Sequence, residues 1–403
     1  MKMAQTKALF VDAYRELNAK KMFWLVLLLS GLVVAAFAMV TINDRGIQVL
    51  FWTLDMPVFS TKTMSVELFY KQLFLAWGIG FWLTWIAAIL ALVSTSGMIP
   101  DFVSGGAIEL TLSKPIGRAR LFLTKYVTGL VFVALQVAVF SFACILVFGL
   151  RAGYWEPRIL LAIPIVVLFY SYIYCVCALV GLLSRSALTA LLVTILFWFV
   201  VFLFNAADAA LLQFQKQSEA ETRQSETRIA AIDVQIDALK ARLEKETTDE
   251  GRDAMQGRID RRITERDTEA EKAAGSRGTA GTISKWHRGV YIAKTVLPKT
   301  GETTGLLSRY LVSEEEEASR AEAHADEGSS GGGAKVTIEA GESDSGITGD
   351  RTPPRQGDTE AEAAKALQAE FRGRSLFWII GTSVIFEFVV LGAATLIFVR
   401  RDF

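Results

Sequence analysis

The chain has 403 residues, 52% of them hydrophobic, and its 42 basic and 42 acidic residues balance to a formal net charge of zero. The apolar residues are concentrated in six long runs. This excludes an ordinary soluble multidomain protein, because a buried soluble helix rarely exceeds about 14 unbroken apolar residues. Only three cysteines and two histidines occur, so neither a disulfide framework nor a histidine-based metal site is indicated.

Each apolar run is long enough to cross a bilayer, since about 20 apolar residues span a hydrocarbon core of roughly 30 Å. The predicted spans are residues 22–42, 72–95, 122–148, 158–183, 187–211 and 375–399. The expected fold class is therefore an all-α integral membrane protein. It has six transmembrane helices and a large extracytoplasmic helical insert, a coiled-coil hairpin, between helices 5 and 6.

The distribution of basic residues predicts the orientation of these spans. Six spans place both termini on one side of the membrane, and the short segments on that side hold twelve Lys and Arg against five on the other. Short cytoplasmic segments carry such an excess. We therefore expect a multi-pass protein of the cytoplasmic (inner) membrane, with both termini cytoplasmic and the acidic insert 213–374 outside.

The sequence divides into five segments. Residues 1–21 are predicted to form a cytoplasmic amphipathic interface helix, with an apolar stripe of Leu9, Ala13 and Leu17. The second segment, residues 22–212, holds the first five spans and a cytoplasmic segment at 97–121, called the coupling segment below. A helical insert follows at 213–312, and then an acidic Gly- and Ser-rich tether, expected to be disordered, at 313–360. The last segment, residues 361–403, holds a lead-in helix and the sixth span.

The insert carries an apolar stripe with heptad-like spacing. The first part of the stripe comprises Ile229, Ile232, Ile236, Leu239 and Leu243, and a weaker second part after a break near Gly251 comprises Met255, Ile259 and Ile263. An antiparallel helical hairpin is the simplest interpretation. A single solvated helix held by its own ion pairs is the alternative.

The sequence contains no motif of an enzyme or of a nucleotide-binding site. It has no G-x-x-x-x-G-K-[ST] loop, no H-E-x-x-H and no G-x-S-x-G. The prediction is a chain that is not an enzyme and binds no cofactor itself. The basic residues along the membrane face fit membrane lipids or a protein partner better than nucleic acid.

One carboxylate lies inside a predicted span. Glu387 is near the middle of the sixth span, where insertion of a carboxylate costs on the order of 2.5–3.5 kcal/mol. Two interpretations are open. Glu387 lines a substrate path or proton relay, or it is a structural carboxyl hydrogen-bonded to a neighbour such as Gln136 or Tyr174.

The connection between the second and third spans is longer than a simple loop requires. Residues 104–126 read SGGAIELTLSKPIGRARLFLTKY, which combines a Gly-Gly hinge, a Lys-Pro break and several basic residues. Attraction to anionic headgroups, worth about 1 kcal/mol per charge, explains the Lys and Arg. It explains neither the hinge nor Glu109, nor the length.

This connection resembles the segment after the second span of ABC-2 type transporter permeases. In that family a Gly-Thr-Ile-Glu-like start leads to Leu-Leu-Ser-[Lys/Arg]-Pro-x-x-Arg and then to a Lys that opens the next span. The matching positions are Gly106, Glu109, Leu112, Ser113, Lys114, Pro115, Arg118 and Lys125. The resemblance covers residues 1–212 and 375–403 and is closest to permeases similar to that of the nitrous-oxide-reductase maturation system. Two departures are Ser104-Gly105, where the family often has an acidic residue before the glycine, and the long insert.

The resemblance implies a permease subunit that docks a separate ABC ATP-binding subunit, a P-loop ATPase that binds the ATP. The coupling segment would hold the docking residues Gly106, Glu109, Ser113, Lys114, Pro115 and Arg118. A second permease copy or a sister permease would complete the transporter, and export is the expected direction. The alternative is a mechanotransmitting or scaffold membrane protein, whose outer hairpin engages an extracytoplasmic protein without substrate translocation.

Overall fold

The computed structural model describes residues 21–55, 60–61, 64–104, 117–312 and 356–401, without the side chains of residues 356–362, 364 and 368. Among these residues, six helices are long and apolar enough to cross a membrane. In chain order, spans 1 to 6 are Lys21–Met39, Val66–Val103, Arg118–Arg151, Pro157–Ser184, Ala187–Leu243 and Phe377–Arg400. This confirms the predicted number of apolar helices and indicates a multi-pass membrane protein.

Several spans are built from more than one helical element. In chain order the α-helices are α1 (Lys21–Met39), α2 (Val66–Leu73), α3 (Ala88–Thr95), α4 (Met98–Ser104), α5 (Arg118–Arg151), α6 (Ala162–Ser184), α7 (Ala187–Leu243), α8 (Asp249–Val296), α9 (Thr300–Leu311), α10 (Gln356–Gly373) and α11 (Thr382–Arg400). Wider π-helical turns occupy Phe74–Ala87 in span 2 and Phe377–Gly381 in span 6. A 3₁₀ turn, Pro157–Leu161, opens span 4.

Span 1 ends earlier than predicted, because the chain becomes a strand directly after Met39. Strands β1 (Val40–Asn43), β2 (Gly46–Val49) and β3 (Trp52–Asp55) form an antiparallel sheet in the order β1-β2-β3. The β-branched run Val40-Thr41-Ile42 favours a strand over a helix. The all-α prediction was wrong for this segment, since apolar content alone does not distinguish a helix end from a short strand.

The turn between β2 and β3 has a strained backbone. Val49 pairs with Trp52, so only Leu50 and Phe51 lie in the turn. Leu50 has a φ of +54°, in the left-handed region that costs an L-residue about 1–2 kcal/mol. The sheet as a whole is fixed to the helices through β1, because the Tyr70 hydroxyl donates to the Val40 carbonyl oxygen at 2.8 Å.

Aromatic rings and small residues pack spans 1 to 4 together. Phe74 of span 2 stacks on Phe140 of span 3, with ring centroids 6.2 Å apart, and the Trp82 indole N–H donates to the Ser30 hydroxyl of span 1 at 3.2 Å. Gly129 permits a close approach between spans 3 and 4. A Cβ at this position would lie 2.6 Å from the Tyr174 ring, so any side chain there would displace that ring.

The described residues fall into two compact units. Residues 21–205, 293–312 and 374–401 belong to the membrane unit, and residues 206–292 and 356–373 belong to the second unit. Residues 293–312, predicted as part of the insert, instead pack with the membrane spans. Helix α9 is the main element of this stretch, and its Leu307 and Leu311 are buried in the same core as the spans.

The second unit contains a pair of antiparallel helices. Ile232 and Ile236 of α7 contact Ile259 of α8 in a small apolar cluster, which the partly buried Leu239, Leu243 and Ile263 complete. Ion pairs also connect the two helices. They join Glu226 with Arg277, Arg228 with Glu269, and Asp233 with Arg266. Residue numbers rise on one helix as they fall on the other, so the two stripes predicted from the sequence meet across a helical hairpin.

Two predicted segments lie outside the described residues. These are the amphipathic helix, which includes Leu9, Ala13 and Leu17, and all but the last part of the acidic tether at 313–360.

The apolar cluster predicts which hairpin residues carry its stability. Ile236→Ala removes a side chain that is 4% exposed. It should destabilise the hairpin by about 2 kcal/mol, the low end for an isoleucine in a core, which raises the open population about 30-fold. Trypsin cleavage within residues 229–263 of the full chain, measured under conditions where opening is faster than cleavage, should accelerate accordingly.

Val234→Ala is the matched control, since Val234 lies two residues away and is 70% exposed. Equal cleavage rates for the two variants would contradict the assignment of the cluster.

Candidate functional site

The carboxyl group of Glu387 accepts hydrogen bonds from side chains of two other spans. The Tyr126 hydroxyl of span 3 lies 2.9 Å from Glu387 Oε1, and the Ser171 hydroxyl of span 4 lies 2.8 Å from Glu387 Oε2. The carboxyl group therefore joins spans 3, 4 and 6 near the middle of span 6. Gln136 and Tyr174 are the neighbours expected from the sequence, whereas the side chains that contact the carboxyl group are Tyr126 and Ser171.

The hydroxyl groups around Glu387 have more acceptors than protons. The Tyr126 hydroxyl is also 3.0 Å from the Ser171 carbonyl oxygen, and the Ser171 hydroxyl is also 2.8 Å from the Leu168 carbonyl oxygen. Two hydroxyl protons cannot fully serve four acceptors. A carboxyl proton on Oε2 would let Glu387 donate to Ser171 and leave Ser171 free to donate to Leu168. The Glu387 carboxyl group and the hydroxyl groups of Tyr126 and Ser171 therefore form one shared hydrogen-bond network.

Stacked tyrosines extend from Glu387 towards span 2. Tyr126 stacks on Tyr174, with ring centroids 5.2 Å apart, and Tyr174 stacks on Tyr170 at 5.6 Å. The Tyr170 hydroxyl is 2.7 Å from the Thr95 hydroxyl of span 2. Stacked tyrosine rings therefore connect Glu387 with Thr95, and this set of residues is called the polar row. Sequence reasoning missed this row, because the three tyrosines lie in two different apolar spans.

Arg118 links the first turn of span 3 to the end of span 6. Its guanidinium donates to the carbonyl oxygens of Val399 and Arg401 at 3.3 and 3.1 Å. Arg401 in turn donates to the carbonyl oxygen of Leu182 in span 4 at 2.7 Å. These bonds satisfy carbonyl groups that a helix end leaves without partners, and the positive charge suits that end of the helix dipole. Arg118, predicted as a docking residue, thus also stabilises the bundle.

The other predicted docking residues, Gly106, Glu109, Ser113, Lys114 and Pro115, lie outside the described residues. The helix before them, α4, ends at Ser104, and span 3 begins at Arg118. Close packing holds α4 against span 4, because a Cβ at Gly181 would lie 3.0 Å from the Pro100 ring.

Helix α9 brings buried charge into the membrane unit. Lys299, just before α9, is 1% exposed. Its amine donates to the Thr382 hydroxyl at 2.6 Å and lies 4.4 Å from the centre of the Trp378 ring. Its backbone N–H donates to the Ser383 hydroxyl at 2.9 Å. The start of α9 is therefore fixed to the first turns of span 6.

A buried carboxylate holds the rest of this region together. Glu302 Oε1 accepts from the Lys294 amine at 2.5 Å and from the Arg374 guanidinium, and all three side chains are at most 8% exposed. The three residues lie at the end of α8, in α9 and just before span 6. This ion cluster joins two chain segments that the long stretch 313–373 separates in sequence.

A second buried carboxylate lies in the connection between spans 3 and 4. Glu156 is 3% exposed, and its Oε2 accepts from the Tyr154 hydroxyl at 2.9 Å. This hydrogen bond raises the pKa of Tyr154 to about 12, with burial and the charge of Glu156 adding to the effect. The Lys71 amine lies 3.9 Å from Glu156 Oε2 and 2.7 Å from Glu67 Oε1.

The described residues contain no group of three or more His, Cys, Asp or Glu side chains that could hold a metal ion. The free cysteines Cys144, Cys175 and Cys177 are buried within spans. Comparison of the chain with family models, curated proteins and solved structures gives no match. The candidate functional residues are thus those of the polar row around Glu387, together with the predicted docking residues that precede Arg118.

The contacts of Glu387 predict a difference between two of its substitutions. Glu387→Gln should leave the melting temperature of the purified chain nearly unchanged, because an amide can accept from Tyr126 and donate to Ser171. Glu387→Ala leaves both hydroxyls without this partner and should cost about 1–3 kcal/mol. Phe388→Ala is the control, since this neighbouring side chain is exposed. Equal melting temperatures for Glu387→Ala and the wild type would show that the carboxyl does not join the spans.

The ion cluster predicts a larger loss of stability. Glu302→Ala removes the carboxylate that Lys294 and Arg374 share in a buried position, which should cost about 3–5 kcal/mol. The control is Glu265→Ala, because the Arg262–Glu265 pair is about half exposed and such pairs contribute only about 0–1 kcal/mol. Thermal unfolding in detergent measures both. A Glu302→Ala melting temperature close to that of the control would contradict this role for the cluster.

Proposed function

We propose that this chain is the permease subunit of an ABC-2 type transporter in the cytoplasmic membrane, driven by a separate P-loop ATPase. The observation that carries the proposal is the Ser-Lys-Pro-x-x-Arg match, which ends at Arg118 and lies between the second and third of six apolar helices. The chain itself would bind no cofactor, and ATP would be bound by its partner. A second copy or a sister permease would complete the assembly.

The contacts of Arg118 support a route from the ATPase to the polar row. Arg118 begins span 3 directly after the matched segment, and its guanidinium donates to the carbonyl groups that end span 6. Span 3 carries Tyr126 and span 6 carries Glu387, which contact each other. A displacement of the segment by a docked ATPase would thus move both partners of the central hydrogen bond. Such coupling requires that the assembled transporter has two conformations and that its ATPase subunit binds nucleotide with different affinity in each.

In this proposal Glu387 is the residue of the transport path. The polar row offers hydroxyl and carboxyl groups in an otherwise apolar bundle, where an ionisable residue is a functional candidate. Both termini would lie in the cytoplasm, residues 213–374 outside, and transport would be export. The Lys and Arg distribution and the family resemblance support these assignments.

The hairpin of the second unit favours one alternative function. Its α7 portion, residues 206–243, extends for about 55 Å at 1.5 Å per residue and carries many charged side chains. Such a hairpin suits a mechanotransmitting or scaffold protein, in which ATP-driven movement reaches an extracytoplasmic partner without passage of a substrate.

Affinity purification from the native membrane in mild detergent tests the proposal. We expect a P-loop ATPase, identified by mass spectrometry, to accompany the wild-type chain. It should be lost from the double variant Glu109→Ala and Lys114→Ala, which removes two of the charges of the matched segment. Arg118 stays unchanged, because its substitution would also disturb the end of span 6.

The matched control is Asp237→Ala with Lys240→Ala, which removes the same charges from exposed hairpin positions and should retain the ATPase. Absence of an ATPase from the wild-type sample would refute the permease proposal. Retention of the ATPase by the Glu109 and Lys114 variant would refute docking through this segment. Loss of an extracytoplasmic protein from the hairpin variant, with no ATPase in any sample, would support the scaffold alternative.

A further inference from the structure

The turn between β2 and β3 exposes large apolar side chains. Phe51 is 90% exposed and Trp52 is 84% exposed, and Leu50 beside them is half exposed. Leu50, Phe51 and Trp52 are called the apolar turn below. Contiguous exposed apolar groups of this size mark a surface that is covered by something other than water.

Strand register fixes the position of the apolar turn relative to span 1. The Leu50 N–H donates to the carbonyl oxygen of Met39, the last residue of α1, at 2.9 Å. Helix α1 has 19 residues, which at 1.5 Å per residue makes it about 28 Å long and thus close to the thickness of the hydrocarbon core. Met39 therefore lies near one edge of that core, and the apolar turn lies at the same level.

The opposite end of the sheet has the opposite chemistry. The turn between β1 and β2 holds Asn43, Asp44 and Arg45. The Asn43 side chain accepts from the backbone N–H groups of Arg45 and Gly46, and Asp44 accepts from the Thr61 hydroxyl. The charged turn thus lies at the end of the sheet that is far from Met39. The apolar turn lies at the other end, beside Met39. The sheet is therefore polar at the end away from span 1 and apolar at the end beside span 1.

The backbone of Leu50 points to the same environment. In a two-residue hairpin turn, a position with positive φ favours Gly, Asn or Asp, which tolerate the left-handed conformation and suit water. Leu50 occupies that position with a φ of +54°. A leucine at a strained, half-exposed turn position gains nothing in water, whereas burial of its side chain in lipid offsets the strain.

Hydrogen bonds connect the sheet to span 2 and to the segment that precedes it. The Tyr70 hydroxyl of span 2 donates to the Val40 carbonyl oxygen, and the Thr61 N–H donates to the Asn43 carbonyl oxygen at 3.1 Å. Both bonds hold β1, the strand that continues span 1. The height of the apolar turn is therefore set by spans 1 and 2.

We propose that the apolar turn inserts into the boundary between lipid headgroups and acyl chains, and that it anchors this end of spans 1 and 2 at a fixed depth. The partner is the bilayer itself. Tryptophan is enriched at this boundary, where its ring meets acyl chains and its N–H meets water. The exposed side chain of Met39 makes the lipid-facing surface of span 1 continuous with the turn. The proposal holds for either orientation of the chain and does not depend on the proposed transport function.

Spin labelling of the full chain in phosphatidylcholine–phosphatidylglycerol nanodiscs tests this anchor. One label replaces Phe51 (Phe51→Cys), and the matched control replaces Arg45 in the charged turn of the same sheet (Arg45→Cys). Cys144, Cys175 and Cys177 are buried, and the unmodified chain, treated in parallel, gives their background. Collision rates with oxygen, which concentrates in lipid, and with a water-soluble nickel chelate measure the depth of each label. We expect the oxygen-to-nickel ratio to be higher at position 51 than at position 45.

Two results would overturn the proposal. Equal ratios at the two positions would place the apolar turn in water. Low collision rates with both reagents at position 51 would show that protein covers the turn, as when a second copy pairs along β3. A label at position 52 (Trp52→Cys) provides a second reading from the same turn, and a ratio there that matches position 45 would also count against the anchor.

Discussion

A hydrocarbon interior offers no hydrogen-bond partner, so a carboxyl group inside it must find its partners within the protein. Glu387 meets this constraint by reaching Tyr126 on span 3 and Ser171 on span 4. The spans around this carboxyl are therefore brought together by its need for partners as well as by shape. The stack of Tyr126, Tyr174 and Tyr170 then continues the polar row towards Thr95.

The same constraint explains the ends of the bundle. Carbonyl groups at the end of span 6 accept from Arg118, and those near the end of span 4 accept from Arg401. In the region of α9, Glu302 shares its carboxylate between Lys294 and Arg374. A buried ion cluster of this kind contributes little net stability compared with apolar packing, but the loss of one member is costly. The main effect of the cluster is therefore to fix the geometry of the contact between α9 and the start of span 6. Its net contribution to the free energy of folding is small.

The sequence pattern predicted the six long apolar helices and favoured the hairpin. Six apolar runs predict six spans because hydrocarbon thickness sets a minimum length that few soluble helices reach. The stripe from Ile229 to Leu243 and the stripe from Met255 to Ile263 predict a helical pair because their spacing is local. The sheet after Met39 was missed, since Val40 and Ile42 are apolar and the uncharged Thr41 between them does not interrupt the hydropathy of span 1.

The sequence by itself thus determined the apolar spans, the two apolar stripes of the hairpin helices and the presence of one carboxylate within a span, because each of these depends on residues close together in the chain. Only the tertiary structure decided which side chains meet that carboxylate. Glu387 lies 261 residues from Tyr126 and 216 from Ser171. It also decided that α9 belongs with the spans and that the Leu50–Trp52 turn lies level with Met39. These contacts depend on how separate segments pack and pair, and spacing along the chain carries no information about that.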